Sequence, residues 1–197
     1  MQRTILLGAV LAGAIALAGG PSQDPQFTKD NQLLRPANYR EWIYVTTGVG
    51  MSYTPEKKPA ANPEFDNIFV TPAAYRAFLE TGKWPDKTMF VLEVRSSASH
   101  GSINQGGHFQ SDLVSVEAAV KDESRFPEKW AYFSFGGPKP RATAEAFPAE
   151  MCHSCHGKHG AVDSTFVQFY PTLLEVAKAK GTLKTGASEP SPHGPSK

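Results

Sequence analysis

Residues 151–160 read MCHSCHGKHG and contain both cysteines of the 197-residue chain. Cys152 and Cys155 are spaced Cys-x-x-Cys, and His156 follows at once. Three chemistries suit that spacing. The thiols can work as a redox dithiol or close a disulfide. Thiolates and imidazoles together can hold zinc. The two thiols can also add across the vinyl groups of haem, with the next histidine beneath the iron, which is the attachment signature of c-type haem. A thioredoxin-like dithiol follows a strand in a βαβ unit, and the flanks FPAEM and GKHGAVD carry no parallel-sheet pattern. A disulfide suits an exported chain but leaves His156 without a role. Zinc would take Cys152, Cys155 and a pair from His153, His156 and His159, but structural zinc sites usually space a second ligand pair further along the chain. Haem c uses every residue of the motif and is the preferred reading, with zinc and a plain disulfide or dithiol as alternatives. Cys152, Cys155 and His156 then bind one covalent haem, and His156 is the iron ligand.

The sixth iron position separates function classes. Electron-transfer cytochromes usually fill it with Met or His, whereas gas-binding and catalytic haems leave it open. His153 lies inside the motif, His159 stays on the same side as His156, and His193 sits in the C-terminal tail. Met89 falls in a strand pattern, where core is the commoner role. Met51, His100 and His108 remain, and the two histidines flank GSINQGG, an exposed-loop pattern. No candidate stands out, which favours an open site.

Haem attachment of this kind requires export, and the N-terminus reads MQRTILLGAVLAGAIALAGG. Arg3, the apolar run Thr4 to Leu17 and the small residues around Ala18 form a secretory signal peptide, residues 1–18. The run is short for a membrane span, which needs about 20 residues. The expected location is periplasmic, with no membrane attachment after cleavage. Formal net charge is +1, so no strong field points to nucleic acid or an anionic membrane surface.

These residues need a scaffold. Residues 19–32 are polar and read as a flexible leader, residues 184–197 as a disordered Ser/Pro/Gly-rich tail, and residues 33–183 as a single domain. Strand patterns occur in REWIYVTTGVG, FDNIFVT, TMFVLEVRSS, HFQSDLVSVEAAV and KWAYFSFGG. TPAAYRAFLETG reads as a helix with Thr71 as cap, Pro72 in the first turn and Gly82 at its end. ATAEAFPAEMCHSCH and STFVQFYPTLLEVAKAKG are helical by pattern, with a break at Pro171 and the Cys pair between these last helices. The fold class is α+β: an antiparallel sheet with helices on one side and haem between the sheet and the C-terminal helices. Trp42, Trp84 and Trp130 should pack the core or the haem edge. Arg40, Arg95 and Arg141 suit haem propionates chemically, although a solvated arginine is commoner.

NYREWIYV, FVTPAAYRAFLETGKWPD, VEAAVKDESRF, KWAYFSF and CHSCHGKHGAVDSTFVQFYP, in that order, resemble the cytochrome P-460 family from about Leu33 to Lys180. The resemblance implies a sheet-rich, usually dimeric, periplasmic haem protein, with thioethers at Cys152 and Cys155 and His156 as proximal ligand. Enzymes of that family oxidise hydroxylamine and nitric oxide, and a lysine cross-linked to their haem precedes a glutamate in the strand after a G-x-W/F-x-D turn. Here the turn is GKWPD and the glutamate is Glu93, so the lysine position falls on Leu92. Leucine has no nucleophilic nitrogen. Lys83, Lys87 and Arg95 are each an odd number of residues from Leu92, and strand alternation turns them away from its face.

Without the cross-link the chain is similar to cytochrome c′-beta, whose haem lies under a phenylalanine-lined apolar cap and binds nitric oxide and carbon monoxide. Phe65, Phe69, Phe90, Phe109, Phe133 and Phe135 lie on expected strands and are candidates for such a cap, although ordinary core is the better expectation for each one. Leu92 would add to the apolar character, and Glu93 would face the opposite side. The expectation is an exported monohaem cytochrome, homodimeric, binding a small diatomic ligand such as nitric oxide. The alternatives are a hydroxylamine or nitric oxide oxidoreductase, which leaves the enzyme question open, and a simple electron-transfer cytochrome working with a redox partner protein.

Overall fold

The computed structural model of the protein describes residues 23–53 and 61–187. The expected signal peptide, His193 and the tail from Ser188 onward lie outside the described residues. In chain order the elements are β1 (Leu33–Leu34), a 3₁₀ turn (Tyr39–Glu41), β2 (Ile43–Val49), β3 (Phe65–Val70), α1 (Pro72–Thr81), β4 (Met89–Ala98), β5 (Phe109–Lys121), β6 (Trp130–Gly136), β7 (Thr143–Ala144), α2 (Ala149–His159), a second 3₁₀ turn (Val167–Phe169) and α3 (Pro171–Lys180). The five long strands form one antiparallel sheet in the order β2-β3-β4-β5-β6, and β1 pairs with β7. This is the expected α+β architecture. No described helix is long and apolar enough to cross a membrane.

Each face of the sheet carries its own core, because alternate residues of a strand point opposite ways. One face buries Met89, Val91, Val116, Ala118, Val120, Phe133 and Phe135 beneath Leu33, Tyr39, Trp42 and Ala144. The other packs Val70, Phe90, Trp130 and Tyr132 against Phe78 of α1, Leu173 and Ala177 of α3, and Trp84. Ordered packing begins before the expected Leu33. Phe27 stacks on Phe126 and Phe133 at 6.2 Å and pairs with Leu33, so the end of the expected leader is tied to the far-face core.

The helix ends follow local chemistry. α1 starts at Pro72 and ends at Gly82, which takes φ 70° and donates its N–H to the Phe78 carbonyl. Thr71 makes no side-chain cap; its backbone N–H goes to Met89 on the sheet instead. The long helix expected through ATAEAFPAEMCHSCH is shorter. Thr143 and Ala144 pair with β1, and helix begins only after Pro148, since the residue before a proline is turned away from the helical region. Pro171 likewise separates a 3₁₀ turn from α3.

One charged group lies deep on the face opposite the helices. The Glu93 side chain is 5% exposed and accepts hydrogen bonds from Tyr39, from Arg40 Nε at 2.8 Å and from Arg95 Nε at 2.5 Å. Burial alone would raise its carboxyl, but the Tyr39, Arg95 and Arg40 donors hold it below the ordinary value. Burial and the same bond push the Tyr39 phenol up to about 12. A depressed carboxylate stabilises the fold above its unfolded pKa, and that contribution is lost as pH falls through the folded one. Glu93→Ala is therefore expected to cost about 3 kcal/mol at pH 7, the low end for breaking a buried pair, because the guanidinium groups can hydrate. The deficit relative to the parent should shrink below about pH 4. Urea unfolding at pH 7 and pH 3.5 measures both values, and a deficit independent of pH would contradict this account.

Candidate functional site

The Cys-x-x-Cys-His motif lies inside α2, not between two helices as expected. Helical spacing puts Cys152, Cys155 and His156 on adjoining positions of one turn. All three are half-buried, and neither cysteine is in a disulfide. Burial raises the Cys152 thiol, with the nearby Glu117 charge adding to it. The His156 ring packs against Tyr132 of β6, centroids 4.3 Å apart, and against Phe166 at 4.6 Å. Its Nδ1 lies 3.1 Å from the Ser164 carbonyl, which acts as acceptor when Nδ1 carries the proton. Burial holds the imidazole below its ordinary pKa, with the Ser164 bond opposing. A neutral ring whose Nδ1–H is held by a carbonyl offers its Nε2 lone pair to a metal.

That carbonyl is placed by a tight turn. Thr165 N–H donates to the Val162 carbonyl at 2.8 Å, and Asp163 and Ser164 between them take φ 47° and 59°. Two successive non-glycine residues in the left-handed region cost on the order of 1–3 kcal/mol each and persist only where neighbours hold them. Gly160 brings the turn close to α2. A Cβ there would meet the His156 carbonyl oxygen at 2.6 Å and the Ser164 carbonyl carbon at 2.7 Å.

Leu92 lies half-buried on the sheet face that carries Phe90, toward the helices, while Glu93 faces the opposite core. Arg95 and Arg40 are committed to Glu93 on that opposite side, and Lys87 pairs with Asp122 at 2.5 Å. None of the three stands in for a lysine at position 92. Arg141 donates to the Ser134 carbonyl and is exposed.

Of the six phenylalanines that were candidates for an apolar cap, most serve as ordinary core, the better expectation for each. Phe133 and Phe135 belong to the far-face core, and Phe69 packs against that core and Tyr39. Phe65 pairs with Arg95 and so shares that face's phase. Phe109 is 42% exposed. Phe90 alone of the six is buried among Trp84, Trp130 and Tyr170 on the helix side. In register with Leu92 stand Ile68 on β3 and Glu117 on β5. Burial raises the Glu117 carboxyl, and the Asp66 charge raises it further, while a bond from Ser115 opposes. Asp66 is raised by its own burial and by Glu64. Two carboxylates of raised pKa therefore share this face, and Tyr53 feels Cys155, Asp66 and Glu117. Sequence reasoning missed Glu117. Its signal was phase: Val116, Ala118 and Val120 alternate into one core, which puts Glu117 on the other face.

Met51 lies beside Gly48, where a Cβ would meet Met51 Sδ and Asp66 Oδ2, so it borders the same face, 52% exposed. Met89 is buried in the opposite core. His100 and His108 are exposed in the β4–β5 connection. His153 lies 3.3 Å from Glu128, and His159 is exposed.

The residues fit a c-type haem. Two free thiols and a neutral imidazole come from one helix, and the Tyr132 hydroxyl beside that imidazole is buried without a partner in the chain. Among the described residues no three His, Cys, Asp or Glu side chains converge as a metal-ion cage. Comparison with known proteins gives an independent result. The family model described as Cytochrome P460 matches residues 36–167, which covers the sheet, the motif and the turn after it. No curated protein matches the chain.

Glu117 has a testable sign. Its folded pKa lies above its unfolded value of about 4.3, so between the two the folded protein holds the extra proton. The stability tied to that proton is present at lower pH and lost as pH rises through the folded pKa. Glu117→Gln, permanently neutral, should match the parent near pH 4 and exceed it in urea midpoint at pH 8. A difference that fails to widen between those pH values would remove the raised carboxyl from the account.

Proposed function

We propose that this chain, which belongs to the cytochrome P460 family, carries one covalent haem c and binds a small nitrogenous or diatomic ligand such as nitric oxide at an open iron position. Membership of the family implies haem binding. The finer reading is carried by one observation: a single helical turn offers Cys152, Cys155 and His156 together, with His156 Nδ1 already engaged by Ser164. Cys152 and Cys155 would hold the thioethers and His156 Nε2 the iron. The haem would supply an iron centre that binds and exchanges electrons with the ligand. Leu92, in the position that the family resemblance gives to a cross-linking lysine, offers only apolar surface, which suits a neutral diatomic better than an ion.

A second reading is favoured by Glu117. A half-buried carboxyl with raised pKa on the Leu92 face is a stronger base than an ordinary glutamate and can exchange protons with a ligand, as oxidation of hydroxylamine requires. The periplasm, reached through residues 1–18, fits the attachment chemistry, and a homodimer and a redox partner protein follow from the resemblance.

The absorption spectrum of the holoprotein tests the ligand reading. The ferric and ferrous forms should be high-spin, and nitric oxide should change both. Met51→Ala should leave the ligand-free spectra unchanged, whereas a loss of low-spin character would make Met51 the sixth ligand and the protein an electron carrier. Turnover of hydroxylamine with an artificial acceptor, abolished in Glu117→Gln, would move the enzyme reading to first place. Covalent attachment has its own test. Acidified organic solvent should leave haem on the parent chain and extract it from the Cys152→Ser, Cys155→Ser double variant.

A further inference from the structure

We propose that the Lys121–Asp163 ion pair is a positioning device for the His156 imidazole, an inference that rests on His156 being the iron ligand. Lys121 ends β5 with a side chain only 8% exposed. Its Nζ donates to Asp163 Oδ2 at 2.6 Å and to the Trp84 carbonyl at 2.8 Å, and Glu123 lies at 3.3 Å. Asp163 Oδ1 also receives Trp130 Nε1 at 3.5 Å. At the other end of the turn, Trp84 Nε1 donates to Thr165 Oγ1 at 2.9 Å, and that hydroxyl donates to the Val162 carbonyl at 2.6 Å. Both ends of the strained Val162–Thr165 turn are thus fastened to the sheet side of the domain. The residue between the fastenings is Ser164, whose carbonyl meets His156 Nδ1.

Lys121 is buried but Asp163 is exposed, so the pair is a weak source of stability: desolvating the ammonium offsets its attraction to a carboxylate that water still reaches, and a better-attested role is fixing one geometry. The geometry here is the acceptor for Nδ1–H. That hydrogen bond sets the tautomer and ring orientation of a metal-bound histidine and raises its donor strength. Stronger donation favours ferric over ferrous iron. Lys121 and Asp163 touch neither the ring nor the motif, so they act through Ser164 and are positioning residues.

The test uses the holoprotein and two variants. Lys121→Met removes the cation at similar length. Asp163→Asn removes the charge while keeping a residue that tolerates φ 47°. A cavity of about 300 Å³ borders both residues, so water can reach a vacated site. In each variant the ferrous iron–histidine stretching frequency should fall and the haem midpoint potential should rise. Lys121→Arg should restore both toward the parent. Lys87→Met, which breaks the nearby Lys87–Asp122 pair without touching the turn, should shift neither. Variants with a lower melting temperature but parental stretching frequency and potential would reduce the pair to ordinary structural support and overturn the proposal. If Lys121→Met does not fold, Asp163→Asn decides alone. Nitric oxide binding is not among the readouts, so a parent that ignores the gas while its variants shift would refute the ligand reading and leave this one standing. A parent with no histidine-ligated haem would overturn both.

Discussion

The period-two alternation of β4 is the constraint on which the site depends. Leu92 and Glu93 are neighbours with opposite surroundings, one toward the helices and the motif, the other in the far core. A slip of one residue would exchange them and bring a carboxylate to the motif side. The far-face cluster resists that slip. Glu93 is satisfied by Tyr39, Arg40 and Arg95 only in the observed register, and elsewhere it would be a buried charge without partners. The polar cluster on one face therefore determines what the other face presents.

β5 extends this logic along the strand. Glu117, Ala119 and Lys121 share the helix-side phase, opposite Val116, Ala118 and Val120. Glu117 and Lys121 are roughly 13 Å apart at the rise of an extended chain. The first influences the Cys152 thiol, and the second fastens the turn that meets His156. One strand thus reaches the motif region at two places, with two charges in two different settings. The Glu117 carboxyl is raised by burial and by the Asp66 charge despite a bond from Ser115. Lys121 has three acceptors within 3.3 Å.

Much of this fold could be read locally. The helix between Pro72 and Gly82, the five long strands and the odd-even separation of Leu92 from Lys87 and Arg95 all rest on short-range rules of capping, proline geometry and alternation. Composition offered six phenylalanines as candidates for an apolar cap, and phase decides their place: Phe69, Phe133 and Phe135 serve the far core, as was the better expectation for each. The helical pattern of ATAEAF lost to strand pairing with Leu33 and Leu34, a contact with a distant segment. Tertiary pairing overrides a weak local preference of that kind.

The sequence by itself determined that two thiols and an imidazole stand together, the set that haem attachment would use. Cys152, Cys155 and His156 are within five residues, and helical geometry brings such neighbours together in almost any fold. It also determined that Leu92 cannot form a bond through nitrogen. Only the tertiary structure decided the surroundings of those groups. The Ser164 carbonyl on His156 depends on a turn eight residues away folding back over Gly160, and the Lys121–Asp163 pair joins positions 42 residues apart. The raised Glu117 carboxyl depends on burial beside Asp66 across a neighbouring strand. Long-range pairing and desolvation leave no fixed spacing in the chain, because they are properties of which surfaces meet.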